Sequence, residues 1–189
     1  MLGARCGEVV ALQWEDIDLG GGVVRLDENY VRTADGMLLK DTKTHQMRRV
    51  SIDAPTVELL RRHRADCAAR LALLGLPVIE RTWLFSAEPD MSRPRDPASL
   101  TRRYGRLVAK LRVETTLKEL RHYSATELLT AGVDLRTVAG RLGHGDGTTT
   151  LRHYAAWVAA ADQTAASTIG NRLPSLEFSR NGSDDRPAD

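Results

Sequence analysis

Apolar positions follow two rhythms along this chain, a short strand-like stretch and then a long helical one. Residues 3–13 read as a helix, with Val9, Val10 and Leu12 apolar and no capping residue ahead of them. A first helix that opens uncapped is expected where a domain continues upstream. Asp18-Leu19-Gly20-Gly21-Gly22 marks a turn. Residues 23–32 alternate in part, Val24 and Leu26 against Arg25 and Asp27. Ala34-Asp35-Gly36 supplies the next turn, its Asp-Gly pair being favoured in hairpins. Residues 37–42 and 47–52 read as two more strands around Lys43-Thr44-His45-Gln46. The expectation is a small antiparallel three-stranded sheet.

Beyond this the period is helical. Pro55 suits a first helical position, and Val57, Leu60, Cys67, Leu71 and Leu74 keep helical spacing up to a stop at Gly75. Trp83-Leu84-Phe85 is a short apolar piece. Residues 97–111 form a basic amphipathic helix with Leu100, Tyr104, Leu107 and Leu111 on one face. Residues 120–130 form another helix, ended by Ala131-Gly132. Asp134 can cap a helix running to Leu142, with Gly143 just past its end. Thr148 or Thr149 can cap a further helix through Tyr154 toward Ala166. After Leu173 the chain turns polar, so residues 174–189 are expected to be a disordered tail behind one domain over 1–173. The fold class expected is α+β, mostly α-helical.

Composition narrows the setting. The 189 residues are 42% hydrophobic and 28% charged, ordinary for a globular domain. No apolar run approaches the ~20 residues of a membrane span, and the first residues lack a signal-peptide layout. Cys6 and Cys67 are the only cysteines, too few for a disulfide framework or a zinc cluster. A reducing cytoplasm is the expected location. Net charge is +2, but it is unevenly spread: residues 92–121 hold nine basic side chains against Asp96, Glu114 and Glu119. Such a segment draws a polyanion such as DNA, and also fits a solvated helix face.

Six positions could carry chemistry, each with an ordinary alternative. Arg121 stands at the expected start of a mostly apolar helix, where a cation is out of place unless an anion lies beside it. Its fork suits a phosphate, although a surface arginine reads the same. His144, in Gly143-His144-Gly145, projects from a loop and could donate to a phosphoryl oxygen or simply meet solvent. Tyr154 could be a core residue or, with its charge neutralised, a nucleophile for phosphorus. Lys43 tips the expected hairpin beside Arg48 and Arg49, as a phosphate ligand, a proton donor or a solvated turn residue. Arg5 and Glu8 share a helical face, either as a surface ion pair or as an arginine held by its glutamate for use on a ligand.

Order and spacing join these positions. Arg5-Cys6-Gly7-Glu8, followed by Ala11-Leu12-Gln13-Trp14-Glu15-Asp16-Ile17-Asp18, resembles the first arginine motif of the tyrosine recombinase, or phage integrase, family. Lys43-Thr44 with Arg48-Arg49-Val50-Ser51-Ile52 resembles its hairpin lysine segment. Lys118-Glu119-Leu120-Arg121-His122-Tyr123 resembles the second arginine box, Leu142-Gly143-His144 the third, and residues 149–154 the nucleophile box. Tyr30, Tyr104 and Tyr123 have no comparable company.

The resemblance implies a DNA breaking-rejoining fold and a catalytic set of Arg5, Lys43, Lys118, Arg121, His144 and Tyr154, with Glu8 in support. It implies Tyr154 attacking the scissile phosphate, Arg5 and Arg121 holding the non-bridging oxygens, Lys43 protonating the departing 5′ oxygen and His144 donating to the phosphate. No metal, ATP or other cofactor is required, because bond energy is conserved in the phosphotyrosyl link. The family usually has histidine where Lys118 stands. A lysine with a pKa near ~10.4 is a poor base at neutral pH, so the general base stays unassigned. Implied partners are double-stranded DNA attachment sites, a homotetramer on DNA, the nucleoid and no membrane. Arg48, Arg49, Arg102, Arg103, Arg106 and Arg152 are the DNA-contact candidates. An N-terminal clamp domain and further helices would precede Arg5 in the family, so this chain is expected to bind DNA weakly and with strong salt sensitivity. A catalytically silent DNA-binding remnant and a type IB topoisomerase are the competing readings.

Overall fold

The computed structural model describes residues 2–41 and 47–143. Among them, helix α1 (Cys6–Val10) is followed by a 3₁₀ turn (Trp14–Asp16) and strands β1 (Ile17–Asp18), β2 (Val23–Leu26), β3 (Glu28–Thr33), β4 (Gly36–Asp41) and β5 (Arg48–Ser51). Helices α2 (Ala54–Ala72), α3 (Pro97–Leu111), α4 (Leu117–Thr130) and α5 (Leu135–Leu142) complete the described part. The mostly helical α+β class stands. The expected boundary between one domain over 1–173 and a tail over 174–189, and the helix expected through Tyr154, lie outside the described residues.

The expected small antiparallel three-stranded sheet is present, but it is not made of the three expected strands. β2 pairs with β1 on one side and β5 on the other, all antiparallel, while β3 and β4 form a separate hairpin. The segment expected as one strand over 23–32 is broken at Asp27. Before the break the chain pairs with a distant segment, and after it with its own hairpin partner across Ala34-Asp35. That choice is non-local, so alternation alone did not reveal it.

The first helix is also shorter than expected. Gly3 takes a left-handed φ of +64° and Arg5 is extended, so the helix starts only at Cys6. Its N-terminus is capped from within: the Glu8 carboxylate accepts the Arg5 backbone N–H at 2.7 Å. Beyond the helix Gln13 is extended and bridges Trp83. Gly7 lets α1 lie against β3, because a Cβ there would sit 2.6 Å from the Tyr30 carbonyl oxygen.

Leu12, Trp14, Val24, Leu26, Val50, Cys67, Leu71 and Leu84 form the core between the sheet and α2. Leu74 lies past the end of α2 and is half exposed, while Val57, Cys67 and Leu71 of the helix are buried. Ala125, Leu129, Val138, Ala139 and Leu142 are the buried apolar positions of the α4–α5 pair. Caps set the helix limits: Asp53, Asp96, Thr116 and Asp134 each accept a backbone N–H of the first turn. Each such cap contributes roughly 1 kcal/mol. None of the described helices is long and apolar enough to cross a membrane.

Candidate active site

Glu8 is the centre of the site. It is 1% exposed, although it is a carboxylate on a five-residue helix. Two guanidinium groups justify that burial. Arg5 Nη1 donates to Glu8 Oε1 at 2.8 Å, and Arg48 donates to both oxygens, Nη1 to Oε1 at 3.0 Å and Nη2 to Oε2 at 2.5 Å. Burial alone would raise the Glu8 carboxyl. The bonds from Arg48 and the Arg5 backbone, with the charges of both arginines, outweigh it and hold the group below its ordinary range. The Arg5–Glu8 pair is therefore an arginine held by its glutamate, not a surface pair.

Arg48 is a correction. The sequence placed it among exposed DNA contacts, yet it is 9% exposed and committed to Glu8. Its Nε also donates to the Arg141 carbonyl at 3.1 Å. The signal was present in the strand: Arg48 and Val50 share the buried face of β5, with Arg49 and Ser51 on the exposed one. A period of two predicts that Arg48 points inward. Arg141, which the sequence reading did not select, donates from Nη2 to the Ser51 carbonyl at 3.0 Å and ties α5 to β5.

Arg5 and Arg121 meet the same turn from separate parts of the chain. Arg5 Nη2 donates to the Gly143 carbonyl at 3.2 Å, and Arg121 Nη2 to the Leu142 carbonyl at 2.6 Å. Arg121 Nη1 donates to the Gly3 carbonyl, beside Arg5 in sequence. Arg5 keeps 47% of its side-chain surface exposed, although both its terminal nitrogens are engaged, Nη1 by Glu8 and Nη2 by the Gly143 carbonyl. Arg121 lies in the second turn of α4, not at the helix start. The helix begins at Leu117 behind the reciprocal Thr116–Glu119 cap. Its place in the site thus follows from these carbonyls rather than from the helix terminus.

The turn itself is built for this contact. α5 runs between the Asp134 cap and Gly143, whose left-handed φ of +67° ends it. A Cβ on Gly143 would sit 2.6 Å from Arg48 Nη1, so glycine is needed for both conformation and space. His144 is the next residue in sequence. His144, Lys43, Arg152 and Tyr154 lie outside the described residues. Lys118 is exposed on α4, one turn before Arg121. Arg49, Arg102, Arg103 and Arg106 are exposed. Arg102 and Arg106 line one shallow groove on α3. Arg103 lines a different cavity of about 390 Å³, with Val9, Val10, His63 and Phe85.

Chemically, this is two guanidinium forks bracketing one backbone turn, one of them backed by a buried carboxylate. Such an arrangement suits a tetrahedral anion with several equivalent oxygens.

Comparison with known proteins shows the family. Residues 2–160 match the model of the Phage integrase family. The chain is 33% identical over 157 residues to the ICEBs1 integrase of Bacillus subtilis (strain 168), covering 82% of this chain and 42% of that protein. It is 34% identical over 148 residues to the tyrosine recombinase XerD of Ralstonia nicotianae, covering 78% and 42%. Among solved structures, the Tn1549 transposon integrase in complex with transposon right end DNA matches with a TM-score of 0.67 at 23% identity, over 81% of this chain and 50% of that one. The XerA recombinase matches with a TM-score of 0.56 at 25% identity, over 80% and 48%. The chain spans less than half the length of the curated relatives it matches.

Proposed function

The chain belongs to the phage integrase family, and on that premise we propose that it carries the catalytic centre of a site-specific DNA recombinase. The observation behind this reading is the convergence of Arg5 and Arg121 on the Leu142–Gly143 carbonyls. Two guanidiniums at one point, immediately before His144 in sequence, suit the non-bridging oxygens of a scissile phosphate, where charge builds during transfer.

The reaction conserves bonds. Tyr154 Oη gives its proton to water and forms a bond to phosphorus as the bond to the 5′ oxygen breaks, leaving a 3′-phosphotyrosyl strand. Lys43 gives the departing 5′ oxygen its proton, and His144 donates to a phosphoryl oxygen. Attack by the 5′ hydroxyl of a second strand reverses the step and releases Tyr154. The phosphotyrosyl link stores the energy of the broken bond, so ATP is not consumed. Lys118, exposed on α4, acts as a cation beside the phosphate and not as the base. The partners are two double-stranded attachment sites, joined by a homotetramer on DNA in the cytoplasm, at the nucleoid.

Nicked suicide substrates test this. They carry candidate attachment sites and trap the covalent strand. The protein is expected to give a protein–DNA adduct that survives denaturation, and Tyr154→Phe none. No adduct from the wild type on a site it binds, or an equal adduct from Tyr154→Phe, ends the reading. Relaxation of supercoiled plasmid without any site requirement indicates a topoisomerase instead.

A further inference from the structure

We propose that Arg48 is a positioning residue for strand cleavage, setting where Arg5 stands relative to the α5 turn that leads to His144. This deepens the recombinase reading and rests on it for its catalytic part. Three contacts carry it. The Arg48 fork grips both Glu8 oxygens, and the same carboxylate grips the backbone and the side chain of Arg5. Arg48 Nε reaches the Arg141 carbonyl, two residues before Gly143. The Arg48 guanidinium also fills the space where Gly143 lacks a Cβ. One side chain thus joins the first arginine box, the strand and the third box through contacts on three of its nitrogens.

Geometry explains why the position needs arginine. Lysine has the charge but not the planar fork, and cannot hold two carboxylate oxygens and a carbonyl at once. Opposite Arg48 in the sheet is Leu26, which is buried. Water therefore cannot replace a lost contact from that side. Without Arg48, Glu8 loses the partner that fixes its plane and most offsets its burial, and Arg5 loses its fixed base.

Two readouts separate this role from general stability and from the recombinase reading. The first is independent of cleavage: the Nε–H resonance of Arg5 by nitrogen-15 NMR of the full chain. Arg48→Lys should shift it and lower its order, while the Arg121 resonance stays in place. The second is adduct formation on suicide substrate at saturating DNA. Arg48→Lys should slow it at least tenfold while the DNA concentration for half-saturation changes less than twofold. The paired replacement Glu8→Leu with Arg48→Met removes both buried charges and should restore the melting temperature that Arg48→Lys loses. It should not restore adduct formation. An unmoved Arg5 resonance in Arg48→Lys overturns the proposal, as does wild-type cleavage by the paired variant. If the wild type itself forms no adduct while the Arg5 resonance moves, the recombinase reading fails and the positioning of Arg5 by Arg48 stands.

Discussion

Glu8 shows how one buried charge organises a site. Its two arginines offset the cost of taking a carboxylate out of water, so the three side chains form a unit that fails if one member is removed. Glu8→Gln leaves Arg48 buried with half a partner. The expected loss is about 3–5 kcal/mol, read from urea denaturation at pH 7. The pH dependence follows from the same contacts. The folded Glu8 carboxyl is held below its ordinary range, so it takes up a proton at lower pH when folded than when unfolded. Its stabilising share is complete above the unfolded value of about 4.3 and is lost as pH falls through the folded one. The wild type should therefore lose stability on acidification below about pH 5. Glu8→Gln should lack that part of the acid limb, and an unchanged limb would mean that Glu8 does not titrate with folding.

Among the elements, α5 is the one whose ends matter most. Asp134→Ala removes its N-cap and should cost roughly 1 kcal/mol, with adduct formation on suicide substrate unchanged. Gly143→Ala acts at the other end, where a Cβ meets a left-handed φ and the Arg48 guanidinium together. A similar or somewhat larger stability loss is expected, about 1–2 kcal/mol, but with adduct formation falling as well. Equal cleavage by the two variants would remove the link between this turn and catalysis. Both ends of α5 were readable in advance, since Asp134 and Gly143 are local signals next to the residues they cap. α3 was equally readable from its proline, its apolar spacing and its charge. The strand pairing was not. Nothing near Val23 says that it pairs with Ser51 rather than with the next strand, because pairing across that distance is decided by packing. The site was legible in its parts but not in its assembly. Arg5, Glu8 and Arg121 stood out by type and spacing, yet their meeting at Leu142 and Gly143 spans nearly the whole described chain. Arg48 reads as a DNA contact by its charge and as an inward residue by the alternation of β5, and the fold follows the alternation.

For the whole molecule, a net charge of only +2 has to be reconciled with the polyanion proposed as its partner. Local charge does so. α3 has no buried residue and keeps Arg102 and Arg106 one turn apart on one groove, with Arg103 turned to a different cavity. If Arg102 and Arg106 each neutralise one phosphate, each releases close to one counterion. The slope of log affinity against log salt should then fall by about 0.9 for each when replaced by alanine, and by nearly twice that for both together. The loss should be equal on an attachment site and on unrelated duplex, because phosphate contacts carry no sequence information. Arg103→Ala should change the slope less. Both positions are exposed, so stability should move by no more than about 0.5 kcal/mol. Titrations of labelled duplex at several salt concentrations measure these slopes. An unchanged slope in the double variant would remove α3 from the DNA-facing side, and a loss confined to the attachment site would make these arginines base readers instead. The Glu8–Arg48 unit should respond in the opposite way. Its charges are buried and paired, so salt should leave it almost untouched. The molecule would then separate the two tasks by burial: exposed arginines on α3 for salt-sensitive grip, and a buried ion pair holding Arg5 where the phosphate arrives.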